Sequence, residues 1–174
     1  MAKHRQDGRV VSLWSTLKSI CSGLLRKLLT PNRRQEVLAL LCREYADKLK
    51  DSRQYRLHAE QMRYKHFRDQ LLRIADDEEK HAQWLKDRII ALGGEVSQIS
   101  STLEDGWNSW EDLRLDLKEE KRHEWDLRDQ LPKVERVDAD TADTLRRIFA
   151  EEKNHRALLT AMLMRSDPLA ERPP

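Results

Sequence analysis

Four long stretches of this chain place apolar side chains every three or four residues, the period of one helix face. The first covers residues 32–62 and runs through Leu38, Leu41, Tyr45, Leu49, Tyr55, Ala59 and Met62. The second covers 66–92, through Phe67, Leu71, Ile74, His81, Leu85, Ile89 and Leu92. The third covers 107–131, through Trp110, Leu113, Leu117, Leu127 and Leu131, and Pro132 is expected to break it. The fourth begins near Asp140, a suitable N-cap, carries Leu145, Ile148, Leu159 and Met162, and stops at Ser166-Asp167-Pro168. Glycine and proline together number only ten, too few for a chain of many β-turns. A helix of about 25 residues is ~38 Å long and cannot bury its own stripe. Four of them satisfy one another in an all-α antiparallel four-helix bundle.

Short links join the first helix to the second and the third to the fourth, which makes each pair antiparallel neighbours. The middle link, beginning at Gly93-Gly94, is long enough to cross over along the bundle. Ahead of the bundle, residues 10–29 form an extra N-terminal amphipathic helix. It carries Val10, Leu13, Trp14, Leu17, Ile20, Leu24, Leu25 and Leu28 on one side and serines and basic residues on the other. That helix either packs on the bundle or a second copy, or lies on a membrane surface. The expected organisation is a tail and amphipathic helix over 1–31, the bundle over 32–167 and a C-terminal tail over 168–174.

A net charge of +2 argues against a nucleic-acid binder. Cys21 and Cys42 are far apart and form no Cys-x-x-Cys, which fits a reducing cytoplasm and neither a disulfide framework nor a zinc ribbon. No apolar run reaches membrane-spanning length.

The chemistry lies in an internal repeat. Shifted by 74 positions, LLRIADDEEKHAQWL (71–85) falls on LRRIFAEEKNHRALL (145–159). The inward line of the second helix reads Leu71, Ile74, Glu78, His81, Leu85; that of the fourth reads Leu145, Ile148, Glu152, His155, Leu159. Each helix therefore has a Glu-x-x-His pair in the middle of an apolar stripe. A buried carboxylate is costly unless a cation compensates it, and a metal ion would. A buried polar network without metal is the alternative. A third pair, Glu120–His123, lies on the third helix. His123 could add an imidazole but, beside Arg122, reads as a surface histidine. The tryptophans Trp84, Trp107, Trp110 and Trp125 are expected to fill the bundle or a dimer contact.

Over about 35–165 these residues resemble the ferritin-like superfamily, nearest the rubrerythrin-type di-iron carboxylate proteins. The resemblance implies a Glu from each of the first and third helices and a Glu-x-x-His from each of the second and fourth. Glu78, His81, Glu152 and His155 match the two pairs, and Glu120 matches the third-helix glutamate. The first helix departs. Its inward line, Leu41, Tyr45, Lys48, Ser52, Tyr55, has Lys48 at the glutamate position. Either Glu44, one turn earlier, supplies the fourth carboxylate, or that ligand is lost, and the inward lysine favours loss.

With Lys48 inward, three carboxylates and one ammonium match a single divalent ion; with Glu44 engaged there is room for two. The resemblance thus implies one or two iron or manganese ions, unless Lys48 leaves the site with none. It also implies reaction with dioxygen or peroxide, and pairing into a homodimer. No rubredoxin-type Cys-x-x-Cys motif is present, so redox turnover would need a separate electron donor. The other reading is a degenerate bundle, with an incomplete site, that binds or assembles rather than catalyses, a membrane surface being one place for it.

Overall fold

A computed structural model describes residues 32–97 and 101–172. The amphipathic segment 10–29 and its membrane or packing roles lie outside the described residues. The bundle falls in the compact unit that begins at Val37.

Four helices make it: α1 (Arg33–Gln61), α2 (Lys65–Ala91), α3 (Ser109–Glu135) and α4 (Ala139–Arg165). Among the described residues there is no strand. Three of the helix boundaries follow from local chemistry. Gly93 takes φ 71°, and its N–H and that of Gly94 cap the carbonyls of Ile90 and Ile89 to end α2. Asn108 caps α3 by accepting from the Glu111 N–H, and Asp138 caps α4 by accepting from the Thr141 N–H. The α4 cap is therefore Asp138 rather than Asp140.

Pro132 does not break α3, which runs on to Glu135. The proline removes one N–H near the C-terminal end, and the carbonyl one turn back belongs to the exposed Arg128, where water can replace the lost bond.

Side-chain contacts fix the helix directions. The end of α1 packs with the start of α2, Tyr55 and Ala59 beside Phe67, and the start of α1 with the end of α2, Val37 and Leu41 beside Leu85 and Ile89, so α1 and α2 are antiparallel. Lys50 meets Glu119 and His58 meets Asp116, so α1 and α3 are antiparallel too. The middle connection must then travel the length of the bundle. It does so beside α1, touching Cys42 through Glu95, Arg53 through Ser101 and Gln54 through Glu104. α2 and α3 are consequently parallel, the arrangement with one long crossover. No helix among the described residues is long and apolar enough to cross a membrane.

The core is layered. Tyr55, Met62, Phe67, Leu71, Ile74, Leu113, Leu117 and Leu159 form one apolar cluster. Val37, Leu41, Leu85, Ile89, Leu127, Leu145 and Ile148 form the other. Between them each helix contributes charge: Lys48 and Asp51, Glu78 and His81, Glu120 and His123, Glu152 and His155 are all buried. Of the two roles expected for the tryptophans, filling the bundle is not one they take: Trp107 and Trp125 are exposed, and Trp84 and Trp110 are only partly covered. The core is closed by Leu, Ile and Phe side chains instead.

Candidate metal centre

The helical period explains why the polar layer is level. In α2 and α4 the inward line substitutes Glu and then His, one turn apart, for two apolar residues. Because α2 and α4 are antiparallel, the two pairs meet head to tail. His155 Nδ1 lies 3.0 Å from Glu78 Oε1, and its Nε2 lies 3.3 Å from Asp77 Oδ2. His81 Nε2 lies 3.0 Å from Glu151 Oε2, while its Nδ1 is 3.5 Å from Glu78 Oε2. The neighbours Asp77 and Glu151, which the sequence repeat also aligned, thus orient the two imidazoles from outside. Glu120 reaches in from α3. Its Oε1 accepts a 2.8 Å hydrogen bond from the Tyr55 hydroxyl and is 3.6 Å from His155 Nδ1.

Two sets of donors converge, each with its ligand atoms within 4.8 Å of one another: Glu78, Glu120 and His155, and Glu78, His81 and Glu152. Five of the six sequence-predicted ligands therefore come together, with Glu78 shared. Glu44 is buried but belongs to neither set. Glu44 lies in the same layer of charge without a hydrogen bond to it, and burial outweighs the attraction of Lys48 to push its carboxyl up to about 7.

Lys48 takes the place opposite the second set. Its ammonium forms an ion pair with Glu152 and lies 3.1 Å from Glu78 Oε2 and 3.9 Å from Asp51 Oδ2. Burial alone would pull its pKa down, but Glu152 and Glu78 hold it well above the ordinary lysine value. The same three-way balance holds Glu78 well below the usual carboxylate range: burial opposes, and Lys48, His155 and His81 win. His155 is likewise charged. Burial works against its imidazolium, and the Glu120 and Glu78 carboxylates outweigh burial and raise it to about 10.

The donors suit a metal. Carboxylate and imidazole are the ligands iron and manganese take in helix bundles. The Oε2 atoms of Glu78, Glu120 and Glu152 and Nδ1 of His81 are buried without a hydrogen bond. Such orphaned acceptors are rare in a folded core unless a cation answers them. In the second set the Lys48 ammonium already does so for Glu78 Oε2, while it pairs with the other oxygen of Glu152, Oε1. In the first set Glu78 is shared with that ammonium, and Glu120 Oε2 is left without a partner.

The family model for the ferritin-like domain matches residues 39–167. The chain belongs to the ferritin-like family. No curated protein matches the sequence. The ferritin-like match covers the whole charged layer, Lys48 included, so the lysine is part of the domain rather than an addition to it.

His123 corrects the surface reading. It is buried, with Nδ1 3.3 Å from Asp51 Oδ2 and Nε2 3.7 Å from Asp47 Oδ2, and it joins neither donor set. Burial, then Lys48 and Arg122, lower it to about 3, so it stays neutral. Arg122 donates to its Nε2 and covers it from solvent.

Sequence reasoning missed a second buried network one to two turns from the first. His58 Nδ1 lies 2.9 Å from Asp116 Oδ1, and its Nε2 is 3.0 Å from the Glu104 carbonyl and 3.5 Å from Asp112 Oδ1. Arg172, in the C-terminal tail, binds Asp112 and Asp105. The signal was present: Asp112, Asp116 and Glu120 repeat every four residues, so all three carboxylates lie on one face of α3. Only the position of α1 and of the crossover shows that this face is buried.

Proposed function

We propose that this ferritin-like bundle binds one divalent ion, iron or manganese, through Glu78, Glu120 and His155, and that Lys48 stands in for the second ion of a two-metal site. The carrying observation is the placement of the Lys48 ammonium between Glu78 and Glu152, while Glu78, Glu120 and His155 still converge. Three glutamates and one lysine leave a formal deficit that a single divalent cation neutralises. A rubrerythrin-type ancestry, with a glutamate position turned to lysine, accounts for the same pattern.

When bound, the ion supplies Lewis acidity and a one-electron couple able to act on dioxygen or peroxide. The chain's own residues set the conditions. His155 must release the proton it shares with Glu78 before it can serve as a ligand. Tyr55 fixes the rotamer of Glu120 through its hydroxyl. Lys48 holds Glu78 charged and keeps Glu78 and Glu152 from a second cation. Redox turnover would draw electrons from a separate donor protein.

The second reading, a bundle that uses the ion pairs of Lys48 for structure and binds no metal, is favoured by the same lysine. Metal analysis of protein reconstituted with Fe(II) or Mn(II) separates the two. One ion per chain, abolished by Glu78→Gln, supports the metal reading. Protein that emerges metal-free rules it out. In Lys48→Glu the count should rise to two.

A further inference from the structure

A narrow cleft, partly open to solvent, lies between α1, α3 and the crossover. Its lining includes Lys50, Asp51, Tyr55, Glu104, Asp116 and Glu119. Lys50 and Glu119 pair across its rim at 3.1 Å. Asp116 is buried; its Oδ1 is satisfied by His58, and its Oδ2 has no hydrogen-bond partner. Tyr55 and Asp51 form the wall towards the core. The Tyr55 hydroxyl holds Glu120, and Asp51 Oδ2 lies 3.9 Å from the Lys48 ammonium. The cleft therefore ends one side chain away from the polar layer. A buried carboxylate oxygen without a partner, in a cleft that Asp51, Glu104 and Glu119 also line, is suited to a cation in transit.

We propose that this cleft is the path by which a divalent cation reaches the bundle core, with Asp116 and then Asp51 as transient ligands and the Lys50–Glu119 pair as its outer gate. The proposal rests on the reading of the core as a metal centre. The crossover has a role in it: Glu104, pinned by its N–H to Gln54 Oε1 at 2.7 Å, forms the cleft's outer wall. A charged cleft raises the rate of ion capture, by ~10–10³, more than it changes the final affinity.

The test is stopped-flow uptake of Co²⁺ by the full chain, followed by its visible absorption, with the final stoichiometry taken at equilibrium. Asp116→Asn keeps an acceptor for His58 and removes the charge. Leu115→Trp plugs the cleft wall without touching the polar layer. Thr144→Trp, in the separate groove beside Trp84 and Arg147, is the control. Uptake slowed about tenfold or more in the first two variants, with unchanged stoichiometry and an unaffected control, is the expected result. If Leu115→Trp fails to fold by circular dichroism, Asp116→Asn decides alone. Unchanged rates, or equal slowing in the control, overturn the proposal while leaving the metal centre standing. A wild-type chain that takes up no Co²⁺ overturns both.

Discussion

Lys48 is the residue on which the polar layer balances. Its ammonium pairs with two buried carboxylates, Glu78 and Glu152, so Lys48→Met should destabilise the metal-free protein by about 3–5 kcal/mol, measured by urea denaturation. Added Mn(II) should recover part of that loss. Glu44 acts in the opposite sense. Its folded pKa of about 7 lies above the ordinary 4.5, so the native state holds its proton more tightly than the unfolded chain. Stability from this group is present below pH 4.5 and is lost as pH rises through 7. Glu44→Gln should therefore raise stability by about 1–3 kcal/mol at pH 8 and change little at pH 4, read from thermal melts at both. His155 has a raised pKa and a favourable charge. Its contribution is complete below pH 6.5 and disappears as pH climbs through about 10. His155→Gln should flatten the pH dependence of metal-free stability across that window, and a variant that keeps the wild-type slope would refute the assignment.

The helices are set by caps and stripes that are largely local. Asp138 accepts from both the N–H and the hydroxyl of Thr141 and also pairs with Arg88 of α2 at 2.6 Å. Asp138→Ala removes a cap and an inter-helix tie together, and should cost about 1–2 kcal/mol in a chemical denaturation curve. Pro132 shows the limit of local rules. A proline in the last turns of a helix, with the affected carbonyl at the surface, costs too little to override packing by Val134, which is buried beyond it. α3 continues because its far end still has apolar surface to bury.

At the scale of the molecule the crossover is the deciding feature. It makes α2 and α3 parallel, lays Glu95, Ser101 and Glu104 along α1, and so buries the face of α3 that carries Asp112, Asp116 and Glu120. Two apolar clusters then hold the charged layer at a common level. Metal binding to the native state alone stabilises by mass action, ~2.7 kcal/mol at a hundred times Kd. For a domain of this size that is about 5–10 °C in Tm. Scanning calorimetry with and without Mn(II) should show that rise in the wild type and none in Glu78→Gln.

The sequence by itself determined the four helices, the bundle and five of the donor residues. Each rests on periodicity and on a repeat in which Glu and His interrupt matching apolar lines, and both are local properties of the chain. Its apolar stripes also showed Lys48 pointing inward. What the tertiary structure decided was everything that depends on a second helix: that Lys48 meets Glu78 and Glu152, that Glu44 joins neither donor set, and that His123 is buried against Asp51. Spacing along one helix gives a side chain its face. Only the neighbouring helix gives that face a partner, and for a buried charge the partner sets the energy.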